Sequence, residues 1–90
     1  MAHCKELDLV DCKDLLTELR KLDFIREKSF GCFYVKAKST VHFHKTHSRR
    51  FIHVWNGRDW IEIDLNEPMN KAASLEKHKE ILRLISWAIN

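Results

Sequence analysis

The sequence predicts an α+β fold in which one antiparallel sheet carries two helices on one face, in the order α-β-β-β(-β)-α. Three observations predict it. Apolar residues recur at helical spacing near both ends, apolar and polar residues alternate between residues 41 and 65, and an Asn-Gly pair divides that alternating stretch. With 90 residues, two glycines and one proline, the chain leaves little room for linkers, so we expect a single domain over residues 1–90.

The first helix is predicted between residues 11 and 24. Asp11 stands where an N-cap side chain would accept a hydrogen bond from the first turn. Asp14 and Arg20 place charges of the favourable sign near the two ends. One apolar stripe at helical spacing should pack on the sheet, and its members are Cys12, Leu15, Leu16, Leu19 and Leu22.

The segment after this helix permits two arrangements. The stretch "FIRE" fits either a short strand or the exit of the helix, and "CFYVKA" is predicted to form a strand. An odd-length loop after that strand would turn Phe33 and Val35 toward the core and bring Cys32 and Tyr34 to the opposite face, whereas an even loop reverses this. The pattern leaves both registers open.

The alternation in "TVHFHK" and "FIHVW" predicts the next two strands. A two-residue turn and a four-residue loop, both centred on residues 47–48, give the same pairing. Val41 then lies opposite Val54, and His42 lies opposite His53. The core face stays apolar in this register, which supports it.

The Asn-Gly pair at residues 56–57 predicts a two-residue type I′ turn, because both central residues of that turn need positive φ. This turn places Trp55 opposite Arg58 and His53 opposite Trp60. Side chains alternate between the faces of a strand, so the register sorts the central residues into two sets. The core-side set is aliphatic: Ile52, Val54, Ile61, Ile63 and Leu65. The other set is aromatic and polar: Phe51, His53, Trp55, Arg58, Trp60, Glu62 and Asp64.

The last helix is predicted over residues 74–90, with Ser74 as its cap and with Pro68 and Asn70 in the preceding loop. Its apolar stripe comprises Leu75, His78, Ile81, Leu82, Ile85, Ala88 and Ile89. His78 is therefore expected to be a core or boundary histidine, and Trp87, which lies off the stripe, to pack on the first helix.

The face opposite the helices carries two predicted rows of neighbours, His42–His53–Trp60 and His44–Phe51–Glu62. Trp55 and Arg58 flank the rows, and the adjoining hairpin tip is basic, with Lys45, Arg49 and Arg50. His47 in that tip is expected to be solvated, and His3 to lie in a frayed terminus.

Charge is distributed unevenly along the chain. The net charge is +3, but residues 1–19 carry −3, residues 20–58 carry +8 and residues 59–90 carry −2. A basic middle block is a candidate surface for an anionic partner, unless the acidic ends neutralise it in space. Three cysteines without paired spacing, and a polar N-terminus without a signal pattern, predict free thiols in the cytoplasm. We expect no membrane segment, because no apolar run approaches about 20 residues.

The aromatic, basic face predicts a small binding module without enzymatic activity, with RNA or DNA as the ligand. Aromatic rings on a sheet can stack bases while Lys and Arg hold phosphates. The residues expected to bind are Lys45, Arg49, Arg50, Phe51, His53, Trp55, Arg58 and Trp60, with His42 and His44 as further polar readers.

Three other functions use the same face. A protein partner or a second copy of the chain could cover its aromatic residues. His42, His44 and His53 could bind a metal ion, although no cofactor is expected. The same histidines with Glu62 could form a general acid–base pair.

The predicted topology resembles the double-stranded-RNA-binding fold and the small HicA-type mRNA-cleaving toxins built on it. The stretch "LTELRKLDFIREKSFGCF" is similar to such toxins in its helix, turn and strand. The resemblance implies RNA cleavage as an activity to test. Those toxins carry Gly-Ser-His on the early strand, where this chain reads "SFGCF", and the basic start of the second helix in RNA-binding domains is replaced here by "NEPMNKAASLEK".

Overall fold

The computed structural model describes the backbone of residues 2–65 and 71–89 and the side chains of residues 2–65 and 78–88. A 3-10 helix over Glu6–Cys12 leads into the first α-helix, and a second α-helix ends the described chain. The helices are α1 (Lys13–Arg20) and α2 (Lys71–Ile89), and the strands are β1 (Ala2–His3), β2 (Arg26–Ser29), β3 (Cys32–Val35), β4 (Lys38–Lys45), β5 (Arg50–Trp55) and β6 (Trp60–Asp64).

One antiparallel sheet runs in the order β2-β3-β4-β5-β6, and β1 pairs with β4 beside β3. Both α-helices contribute to a single hydrophobic cluster with one face of this sheet. Leu16 and Leu19 of α1 and Ile85 of α2 are buried against Phe43 and Ile52. The α+β class and the placement of the helices are therefore confirmed. The sheet contains two strands beyond the predicted α-β-β-β(-β)-α order: β1, and β2, which the sequence left open as a short strand.

The ends of both helices differ from the prediction. Asp11 does not cap α1: Cys12 occupies the N-cap position, and the Asp11 carboxylate accepts hydrogen bonds from the Arg50 guanidinium instead. α2 begins at Lys71, so Ser74 lies inside the helix rather than at its cap.

The expectation that Trp87 of α2 packs on the first helix is also wrong. Trp87 is 74% exposed and does not pack on α1, whereas His78 is buried, as its place on the apolar stripe predicts. The loop residues Pro68 and Asn70 and the side chains of Leu75 and Ile89 lie outside the described residues. Neither described helix has the length and apolar character needed to cross a membrane.

The predicted pairing of β4 with β5 is confirmed residue by residue. Val41 lies opposite Val54 and His42 opposite His53, and the ladder continues to Lys45 and Arg50. The connection is the four-residue loop 46–49, closed by a hydrogen bond of 2.9 Å from the Thr46 N–H to the Arg49 carbonyl oxygen.

The prediction of a two-residue Asn-Gly turn was wrong. Trp55 lies opposite Trp60, so residues 56–59 form a four-residue loop and β6 is shifted by two residues. The cause is the Asn56 side chain, whose oxygen accepts hydrogen bonds of 2.8 Å from the backbone N–H groups of Arg58 and Asp59. A shift of two residues preserves the alternation, so the predicted aliphatic face survives the error.

The open question about β3 has a definite answer. Cys32 lies opposite His42 and Phe33 opposite Val41, and an irregularity between Phe33 and Tyr34 shifts the register after them. Phe33 is fully buried in the core. Cys32 therefore lies on the histidine side of the sheet.

Candidate functional site

The sheet face opposite the helices is the open face of the molecule, and it carries the candidate site. Alternation along β2 to β6 places a mixed set of cations, aromatic rings, imidazoles and carboxylates on it. These residues are Arg26, Lys28, Cys32, Tyr34, Ser39, His42, His44, Phe51, His53, Trp55, Trp60, Glu62 and Asp64. The edge strand β1 adds His3.

The corrected register changes the two rows predicted for this face. Glu62, rather than Trp60, lies opposite His53, so the first row runs Cys32–His42–His53–Glu62 across four strands. The second row runs His3–His44–Phe51–Asp64. Cys32 and His3 both pair with β4 on the same edge, so these two rows lie side by side.

Four imidazoles meet where these rows begin, and we call His3, His42, His44 and His53 the histidine cluster. The His3 ring centroid lies 4.9 Å from that of His44 and 5.6 Å from that of His42, and the His44 ring lies 5.1 Å from the His53 ring. A hydrogen bond of 2.9 Å from the Cys4 N–H to the Phe43 carbonyl oxygen fastens the chain just after His3. The expected fraying of His3 is therefore not observed.

Two members of the histidine cluster, His42 and His44, are held toward the neutral form. Burial lowers the pKa of His44 to about 4, with further lowering by charge on His42, His3 and His53. Burial also lowers the pKa of His42, with neighbouring imidazoles again adding to the effect. The Ser39 hydroxyl contacts Nε2 of His42. Neutral imidazoles have a free nitrogen lone pair, which suits them to bind a metal ion or accept a hydrogen bond.

His53 and Glu62 form the pair proposed above for acid–base chemistry. The His53 Nε2 atom lies 3.3 Å from the Glu62 Oε1 atom. A hydrogen bond of 2.8 Å from Arg49 to Glu62 lowers the pKa of that carboxyl, and the His53 contact lowers it further. Glu62 is therefore an ionised carboxylate that orients His53. This geometry is compatible both with proton transfer and with a simple ion pair on the surface.

The predicted hairpin-tip cations are paired with carboxylates. Lys45 and Arg50 have the parity of the core side, so they extend toward the 3-10 helix and away from the open face. Lys45 contacts Asp8 at 2.8 Å, and Arg50 contacts Asp11 at 2.8 Å. Arg49 does lie on the open face, over the Phe51 ring.

Phe51 and the two tryptophans have different exposures. Phe51 is only 2% exposed, while Trp60 is 46% exposed. The Trp55 and Trp60 ring centroids lie 5.4 Å apart. Trp60 and the partly buried Trp55 therefore expose ring surface to solvent, whereas Phe51 is covered by its neighbours on the sheet.

Two cations missed by the sequence analysis cover aromatic rings on this face. The Lys38 Nζ atom lies 4.1 Å from the Trp55 ring centroid, and the Lys28 Nζ atom lies 4.7 Å from that of Tyr34. We call Tyr34, Trp55 and Trp60 the aromatic patch. Alternation alone could not have placed either cation, because register irregularities interrupt β2 near Lys28 and the β3–β4 pairing near Lys38.

The open face thus has a histidine cluster beside β1 and an aromatic patch with cations beside the 56–59 loop. Scans against protein-family models, curated proteins and solved structures found no match to this chain.

Proposed function

We propose that the open face binds single-stranded nucleic acid and that the protein is a binding module rather than an enzyme. The observation that supports this most directly is the pairing of cations with rings: Lys28 covers Tyr34 and Lys38 covers Trp55. Trp60 lies beside Trp55 with nearly half of its surface exposed. Each pair offers a flat ring for a base beside a positive charge for a phosphate.

The charge balance of this face supports the proposal. Among the residues whose side chains the structure describes, five cations at this end of the sheet take part in no ion pair with a carboxylate. They are Arg26, Lys28, Lys36, Lys38 and Arg58, and all five are exposed. Unpaired cations release counterions when they meet phosphates, and this gives affinity that is independent of base sequence.

A single strand fits the geometry better than a duplex. Stacking on Tyr34, Trp55 or Trp60 needs a base whose face is free, and a duplex hides its base faces within the helix. Both helices contribute to the hydrophobic cluster on the other face, so among the described residues no helix lies on the open side to enter a groove. We therefore expect weak sequence preference and strong salt dependence.

Fluorescence anisotropy with labelled single-stranded RNA and DNA, in a chelating buffer, tests the proposal. Trp60→Ala should weaken binding by roughly 5- to 150-fold, since stacking of one base contributes about 1–3 kcal/mol. Trp87→Ala is the matched control, because Trp87 is an exposed tryptophan on the helix layer.

The cations are tested through the salt dependence of the same binding. Changing Lys28 and Lys38 together to Gln should reduce the slope of log K against log salt by about 1.4, at about 0.7 per phosphate contact on a single strand. Lys79→Gln, on α2, is the control and should leave the slope unchanged. Unchanged affinity in Trp60→Ala and an unchanged slope in the lysine variant would refute the assignment of this surface.

Two competing uses of the face give distinct results in the same samples. A homodimer, or a complex with a protein partner, would withstand high salt, and a homodimer would sediment with a mass that grows with concentration. Cleavage of the RNA, lost in His53→Ala, would show an enzyme. We expect the RNA to be recovered intact.

We place this binding in the cytoplasm, because all three cysteines are buried free thiols. Fractionation of the source cells with an antibody against the chain would test this placement.

A further inference from the structure

We infer that His3, Cys32 and His42 form a binding site for a transition-metal ion, with zinc as the first candidate. The site uses part of the histidine cluster and does not depend on nucleic-acid binding. Only His42 belonged to the metal candidates that the sequence suggested. His3 and Cys32 join it through the strand pairing at the edge of β4.

The backbone holds the three side chains from three different strands. Cys32 of β3 lies opposite His42, and His3 of β1 lies opposite His44, one same-face position further along β4. Hydrogen bonds of 2.9 Å from the Cys4 N–H to Phe43 and from the Phe43 N–H to Gly31 bind both neighbouring segments to the same residue of β4. Ligands held by a sheet ladder need little further ordering when an ion arrives.

The separations fit a tetrahedral ion after small side-chain rotations. The Cys32 Sγ atom lies 3.1 Å from the His3 Nδ1 atom, and one ligand atom from each of the three residues lies within 4.8 Å of the other two. Bonds of about 2.0–2.1 Å to nitrogen and 2.3 Å to sulfur place tetrahedral ligand atoms roughly 3.3–3.6 Å apart. The Cys32–His3 pair would therefore lengthen by roughly 0.5 Å, and the widest pair would contract by at most about 1.5 Å.

The donor set selects the kind of ion. One thiolate and two imidazoles are borderline-to-soft ligands, which favour zinc and its neighbours over magnesium or calcium. Binding forms one metal–sulfur and two metal–nitrogen bonds, and the Cys32 thiol proton goes to solvent. The fourth position falls to water or to His44, whose ring lies 4.9 Å from the His3 ring.

The location of Cys32, rather than its degree of burial, separates it from the other two thiols. Cys32 is 6% exposed and lies on the polar face beside imidazoles, whereas Cys4 and Cys12 belong to the hydrophobic core. Burial raises the pKa of Cys12 to about 12, which makes that thiol a poor ligand. A thiolate–metal signal from the folded chain should therefore come from Cys32.

Cobalt titration of the full chain, free of any affinity tag, tests the site. One equivalent of Co²⁺ should give a thiolate-to-metal charge-transfer band and the visible bands of tetrahedral cobalt, and Zn²⁺ should abolish both. Cys32→Ser should remove the charge-transfer band, and His3→Ala and His42→Ala should each weaken binding by more than about 100-fold. Cys12→Ala and His47→Ala, which change a core thiol and an exposed loop imidazole, should leave the spectrum intact.

X-ray absorption at the zinc edge gives a second test on the unaltered chain, where misfolding of a variant has no bearing. The expected shell contains one sulfur at about 2.3 Å and two or three nitrogen or oxygen atoms at about 2.0–2.1 Å. A shell without sulfur, or a charge-transfer band that persists in Cys32→Ser, would overturn the site.

Discussion

Arg50 shows how one residue at the sheet margin connects the sheet to the N-terminal segment. Its guanidinium donates hydrogen bonds to the Asp11 carboxylate, to the Asp8 carbonyl oxygen at 2.8 Å and to the Leu65 carbonyl oxygen at 3.1 Å. These acceptors belong to the 3-10 helix and to the residue that follows β6. A planar donor group is suited to satisfy several acceptors at once, which lysine could not do in the same geometry.

Replacing Arg50 should therefore cost stability. Arg50→Met should lower the free energy of unfolding by about 2 kcal/mol, because it leaves partly buried carbonyl oxygens without their donor. Urea denaturation measures the loss. Arg58→Met is the control, since Arg58 is exposed in the 56–59 loop, and it should change stability by less than about 0.5 kcal/mol. Equal effects of the two substitutions would contradict this role.

The same contact predicts a pH dependence. The hydrogen bond from Arg50 lowers the pKa of Asp11 below its ordinary value of 3.8. A depressed carboxyl pKa stabilises the fold above the ordinary value, and that stability is lost as pH falls through the folded-state pKa. Asp11→Asn should flatten the fall in unfolding free energy between about pH 5 and pH 3. Asp23→Asn, at an exposed turn, should follow the unaltered chain more closely, and identical acid profiles for both variants would contradict the assignment.

At the scale of elements, the two glycines lie in turns that need positive φ. Gly31, with φ of 71°, joins β2 to β3, and Gly57, with φ of 96°, lies in the loop between β5 and β6. Their surroundings differ. A Cβ atom at Gly57 would meet nothing within 4 Å, while one at Gly31 would lie 3.3 Å from the Phe43 Cβ atom.

Alanine substitutions at these two positions should distinguish the energetic cost of a positive φ from the cost of steric crowding. Gly57→Ala should lower the free energy of unfolding by about 1–2 kcal/mol through its backbone conformation alone. Gly31→Ala should lose more, by about another 1 kcal/mol, because Phe43 is fixed in the core and must shift. Thermal and urea unfolding of both variants would measure the difference, and an equal or smaller loss at Gly31 would show that the core accommodates the methyl group.

Elements with strong alternation were predictable from the sequence. The β4–β5 register followed because Val41 and Phe43 must face the core together with Val54 and Ile52, and both plausible loop lengths gave the same pairing. The β5–β6 register was missed by two residues, because the Asn56 side chain makes turn contacts that the Asn-Gly pattern does not specify.

The part of the site contributed by long-range pairing was not predictable. β1 is two residues long and carries no periodicity, so nothing in the sequence indicated that His3 would reach Cys32, 29 residues away. The ion pairs of two hairpin-tip cations were also not predictable. Lys45 and Arg50 looked like surface charges because their alternation with His44 and Phe51 was not followed to the end of each strand.

At the scale of the whole molecule, charge is divided between the two sides of the sheet. Acidic residues of the first segment neutralise cations on the helix side, as Asp8 does for Lys45 and Asp11 does for Arg50. The excess positive charge of the middle segment therefore concentrates around the aromatic patch. This separation of charge is one basis of our proposal that the open face binds an anionic ligand.

An amide-resolved NMR titration of the labelled chain with a short single-stranded RNA, at low and then moderate salt, tests the nucleic-acid interface most directly. We expect shifts concentrated in β2 and β3, at the start of β4, and around the 56–59 loop, and we expect them to fade as salt rises. Duplex RNA of the same length should cause smaller shifts. Shifts centred on α2, or no shifts even at low salt, would contradict the proposal that the open face binds single-stranded nucleic acid.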